Sequence, residues 1–184
     1  MRMNFVCKGA LAVATLCVAP AALPASATAN QPGTVTLKSE KGAFASNASN
    51  LLQQVQNDAQ RVRNSADQLE ARLRQPFLND WESDASLLER ARGRVNAMDD
   101  LLFQLRMNHS KALPWQQQAI KRIAPSVVNL TDTTEDAVVT LKNNQAHIYA
   151  TNLGGLADHM YDEANRIDQA IGNLERSTNA GRRG

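Results

Sequence analysis

Cysteine is nearly absent: the 184-residue chain has two, Cys7 and Cys17, both near its start. No disulfide framework can therefore hold the remainder together. Aromatic residues make up 4% of the chain, and no apolar run approaches the ~20 residues of a membrane-spanning helix, which excludes a polytopic membrane protein. Charge of one sign is also missing, with 20 Lys+Arg against 18 Asp+Glu. That balance, with 43% hydrophobic residues, excludes an intrinsically disordered chain. There is no G-x-S-x-G, no Gly-rich phosphate loop, no H-E-x-x-H and no C-x-x-C-H. The three histidines are His109, His147 and His159. Without a nucleophile placed beside a base, the expectation is a non-enzyme with no cofactor.

What is present begins with an address. Arg2 and Lys8 precede the apolar stretch from Ala10 to Ala19, Pro20 and Pro24 break it, and Ala27-Thr28-Ala29 offers a small-x-small cleavage site. This is the layout of a secretory signal peptide over residues 1–29, with the mature chain starting at Asn30. Cleavage would remove Arg2, Lys8 and both cysteines, leaving 18 basic and 18 acidic residues. A neutral mature chain gives a nucleic-acid reading no support. The expected location is the periplasm, with an extracellular fate as the alternative. Leu16 directly before Cys17 argues against a lipoprotein.

Residues 30–46, with Pro32, Gly33 and Gly42, read as a flexible arm, and residues 177–184 as a disordered polar tail. Between them the period is helical. Leu52, Val55, Ala59, Val62, Ala66, Leu69 and Leu73 are spaced alternately three and four apart, an unbroken heptad stripe. Gln75-Pro76 ends it. Asn79 then offers an N-cap with Glu82 as its capping-box partner. The second stripe is Trp81, Leu88, Ala91, Val95, Met98, Leu102 and Leu105. Pro114 suits the first turn of a third helix, whose stripe runs Ala119, Ile123, Val127, Leu130, Thr134, Ala137, Leu141. Asn143-Asn144 marks a turn, and the fourth stripe is Tyr149, Leu153, Leu156, Met160, Ala164, Ile167, Ile171, Leu174. Leu51, Leu87, Leu101 and Phe103 widen the apolar faces. Three short connections imply antiparallel neighbours, so residues 47–176 are expected to form an all-α, up-down-up-down four-helix bundle with no transmembrane span. Pro125 should kink the third helix. Gly154-Gly155 is expected to let the fourth helix approach Thr133 and Thr134 closely.

Two clusters are candidate sites. His159, Asp162 and Glu163 share one helix face by spacing and are the candidate metal ligands. Arg61, Arg63, Arg90, Arg92 and Arg94 fall at one height when the first two helices fold together, forming a belt for an anionic partner. The competing reading is interhelical ion pairing, because Asp132, Glu135, Asp136, Asp158 and Asp162 come near that height. On it Arg94, with no acid three or four places away, would pair with Asp132 or Asp158. The alanine-rich seams bury little area each, so a protein partner or a homodimer is also expected. The function these features suggest is binding or scaffolding in the cell envelope, with a small-ligand- or metal-binding bundle as the alternative. Circular dichroism should show helix well above the ~30–35% of ordinary globular domains, with no strand component.

Overall fold

The computed structural model describes residues 35–75 and 80–181. Four long helices account for most of them: α1 (Val35–Leu73), α2 (Trp81–Met107), α3 (Pro114–Asn143) and α4 (Leu153–Gly181). Single 3-10 turns at His109–Lys111 and Ile148–Ala150 lie in the second and third connections. No strand occurs among the described residues, and no helix there is long and apolar enough to cross a membrane. The signal segment lies outside the described residues.

The heptad stripes form most of the core; Trp81, the first residue of the second stripe, is exposed and does not join it. Every stripe residue from Leu52 to Leu69 is buried, as are Leu88, Ala91, Val95, Met98, Leu102 and Leu105 on α2. All seven stripe positions of α3 are buried, together with Leu153, Met160, Ala164, Ile167, Ile171 and Leu174 on α4. Each helix packs against its sequence neighbours, α4 also closes against α1, and α1 barely touches α3 across the diagonal. Arg94 on α2 meets Asp58 on α1, whereas Arg72 on α1 meets Asp84 on α2, so rising numbers on one helix accompany falling numbers on the other.

Several boundaries and side chains differ from the sequence expectation. α1 begins at Val35, twelve residues before the expected start at 47, and α4 runs to Gly181 rather than 176. Packing explains the first extension: Ala45 and Ala48 are buried and Phe44 rests on the core. Gln116, fully buried on α3, fastens this segment. Its Nε2 donates to the Ala45 carbonyl at 2.7 Å and to Ser49 Oγ at 2.9 Å, while its Oε1 accepts from Leu113 N–H at 2.8 Å. A buried amide with all these partners avoids the cost of stranded polar atoms. At the far end the Ser177 and Thr178 hydroxyls each donate to the Leu174 carbonyl, both at 2.9 Å.

The cap of α2 is Asp80, whose carboxylate accepts from the N–H of Ser83 at 3.3 Å and from its hydroxyl. The expected cap, Asn79, lies outside the described residues. The Ser83 hydrogen bonds hold the Asp80 carboxyl below its ordinary value. A depressed acid stabilises the fold above its unfolded pKa and loses that contribution as pH falls through its folded pKa. Pro114 stands in the first turn of α3 as expected, and α3 continues through Pro125. Gly154 and Gly155 sit in the first turn of α4, not at a close crossing. A Cβ on Gly154 would meet nothing within 4 Å, and the nearest atoms to one on Gly155 would be those of the Asn152 side chain. Phe103 is 65% exposed and does not join the core; the neighbouring stripe position Leu102 fills it instead.

Leu69 is 1% exposed in the α1 seam, and the adjacent Gln68 faces solvent. Leu69→Ala should lower stability by about 2–5 kcal/mol in chemical denaturation. Gln68→Ala should shift it by less than about 0.5 kcal/mol.

Candidate functional site

The arginine belt separates by direction around the helices. Arg63 points to the α1–α4 seam, where its Nη1 lies 3.3 Å from Asp168 Oδ2 and donates to Asn165 at 3.4 Å. Gln56 and Gln60 donate to the other Asp168 oxygen at 2.7 and 3.1 Å, so this carboxylate is fully engaged. Arg92 points to the α2–α3 seam. Its Nε donates to Glu135 at 2.7 Å, with Glu89 at 3.6 Å. The Glu135 hydrogen bond holds the Arg92 guanidinium further into its charged form.

Arg61, Arg90 and Arg94 line a third direction, the groove between α1 and α2. Asp58 on α1 serves two of them: Arg94 Nη1 is 3.2 Å from its Oδ1, and Arg61 Nη1 is 3.8 Å from the same oxygen. The expected partners Asp132 and Asp158 do not pair with Arg94. Among the candidate acids only Glu135 reaches a belt arginine. Folding the sequence about its turns matches heights along the bundle, but an ion pair also requires the same side of the helix. Asp58 and Asp168, both missed in the sequence, lie beside seam positions, where a spacing test can find them; Glu89, three residues before Arg92 on the same helix, was missed as well.

Arg90 differs from the rest. Its Nε donates to the Ser86 carbonyl of its own helix at 3.2 Å, and among the described residues no carboxylate pairs with it. The groove it shares with Arg61 and Arg94 has a volume of about 490 Å³. A second recess of about 220 Å³ continues toward Ser83 and Ser86, and Arg90, Leu87 and Gln68 line both. At the end of the second recess Arg72 is engaged by Asp84 at 2.6 Å and Asp80 at 3.8 Å. The α1–α2 face is thus the one place where the belt presents an open, positively charged surface, of a size within the ~300–1,000 Å³ of small-molecule sites.

The candidate metal ligands do not converge. His159 and Asp162 are exposed, while Glu163 is buried and its Oε1 accepts from Arg166 at 2.6 Å. Glu163 Oε2 is buried with no partner among the described residues. Residues 159, 162 and 163 span about 100° of helix circumference, with Glu163 at one end of that arc on the core side and the other two outside. No group of three His, Cys, Asp or Glu among the described residues is placed to hold a metal ion. His109 and His147 lie in different connections, at opposite ends of α3.

The Asp58–Arg94 contact is partly exposed, with side-chain accessibilities of 13% and 47%, so its strength should be that of a surface pair. A double-mutant cycle between Asp58→Asn and Arg94→Gln should give a coupling of about 0.2–1 kcal/mol in denaturant titrations. The cycle between Arg94→Gln and Asp158→Asn should give none.

No family model, curated protein or solved structure matches this chain.

Proposed function

We propose that this chain is an exported, non-enzymatic helical-bundle protein that acts by binding or scaffolding in the cell envelope. The four helices run up-down-up-down, and the signal segment at residues 1–29 directs export to the periplasm. The observation that carries the reading is the groove between α1 and α2, where Arg61, Arg90 and Arg94 outnumber the carboxylates of Asp58 and Glu89. Arg63 and Arg92 belong to the scaffold, because each is committed to an acid on a neighbouring helix. The basic groove supports an anionic envelope component as the partner.

Expression of the gene in a diderm host, followed by fractionation and intact-mass measurement, should give a periplasmic chain beginning near Asn30. Retention of that chain on isolated envelope material should fall as salt rises, since exposed charges are screened beyond ~8–10 Å at physiological ionic strength. Arg61→Glu with Arg90→Glu should abolish retention and leave the circular dichroism spectrum unchanged. A full-length chain in the cytoplasm, or retention indifferent to both substitutions, contradicts the proposal.

A further inference from the structure

Charge, backbone and size in the α1–α2 groove together specify a ligand. Three guanidinium groups line it, and Asp58 offsets one of them. Glu89 also lines the groove, and its carboxylate is held by Arg92 at 3.6 Å and Lys142 at 3.4 Å. The groove therefore carries an excess of about two positive charges, matching a phosphate dianion, and guanidinium forks suit phosphate oxygens.

Gly93 adds an independent observation. It lies in the interior of α2, between Arg90 and Arg94, and it lines the groove. A glycine there costs a helix stability relative to alanine. No packing requires it: a Cβ at this position would meet nothing within 4 Å. The bare backbone leaves the groove floor open to a close-lying group. Along the α1 wall, Asn64, Ser65 and Gln68 contribute polar side chains that hydrogen-bond to no other described residue. The volume, about 490 Å³, exceeds what inorganic phosphate needs and suits a phosphate joined to a hydroxylated body.

We infer that the groove between α1 and α2 binds a phosphate-bearing polyol, with its phosphate on Arg61, Arg90 and Arg94 and its hydroxyls on Asn64, Ser65 and Gln68. This inference rests on the reading of that face as the binding surface. The same chemistry occurs in a free phosphorylated polyol and in the phosphoglycerol headgroup of a lipid.

The purified protein is titrated calorimetrically with glycerol 1-phosphate at low ionic strength. It is also sedimented with vesicles of phosphatidylcholine, with and without phosphatidylglycerol. Glycerol 1-phosphate should bind, and Arg90→Gln should weaken it about tenfold, the loss of roughly one charge-assisted hydrogen bond. Arg122→Gln, an exposed arginine on α3, should not change it. Gly93→Ala should raise the thermal midpoint and yet weaken binding several-fold, a combination that a purely structural glycine would not produce. Sedimentation with phosphatidylglycerol vesicles, reversed by glycerol 1-phosphate, assigns the lipid headgroup; calorimetric binding without sedimentation assigns the free polyol. Three results would overturn the inference: no binding in either arm, equal loss in Arg90→Gln and Arg122→Gln, or preference for a polyglutamate peptide over both probes. Envelope retention that still depends on Arg61 and Arg90 would then leave the broader proposal standing.

Discussion

Burial of one narrow apolar seam per helix is the constraint on which the rest of this structure depends. Each seam includes small residues: Ala59 and Ala66 on α1, Ala91 on α2, Ala137 on α3, Ala157 and Ala164 on α4. Small seam residues let helices pack closely, but each removes little apolar area from water, at about 25 cal/mol per Å². Larger side chains such as Leu69, Leu88, Met98, Ile123, Leu130 and Met160 supply most of the buried volume between them. A core of this kind leaves little margin for stranded polar groups. Thr134 is accordingly satisfied by the Leu130 carbonyl at 2.6 Å, Gln116 by three partners, and Asp84 by Arg72.

The seam also decides the electrostatics, because residues beside it meet across helix pairs. Asp168, Glu135, Asp84 and Asp58 each receive an arginine from a neighbouring helix. The contacts to Asp168, Glu135 and Asp58 are partly exposed and each is worth little individually, whereas Asp84 is buried and depends on Arg72 for its charge. Their placement sorts the arginines: those facing an occupied seam become fasteners, and those facing the α1–α2 groove outnumber the available acid. The candidate binding surface is thus what remains after the scaffold's charges are matched. Gly93 accompanies that surplus, at a position where the helix itself would favour alanine.

Most of the fold was legible in the chain because the heptad period is a local property. The stripe residues from Leu52 to Leu69, and all seven on α3, are buried where their spacing placed them. Local signals failed where tertiary contacts overrule them. Gly42, the serines and the asparagines made residues 30–46 look like an arm, yet from Val35 onward this segment is helix, secured by the core contacts of Phe44, Ala45 and Ala48 and by Gln116. Gly154-Gly155 looked like a close crossing because the start of α4 was placed a few residues too early; with α4 beginning at Leu153, the pair falls in its first turn.

The sites were less legible for a geometric reason. Spacing established that five arginines stand at one height, and it singled out Arg94 as needing a distant acid. It could not tell which side of the bundle each arginine faces: a rotation of 100° per residue sends Arg92 toward α3 and leaves Arg90 and Arg94, four residues apart, on the side of α1. The same rotation divides Glu163 from His159 and Asp162. The amino-acid sequence by itself determined the helical class, the core seams and the roster of charged residues, since these follow from period and composition. Only the packing of α1 against α2 and α4, and of α2 against α3, decided which charges are spent on one another and which stay open to a ligand, because pairing requires two side chains to share both height and direction.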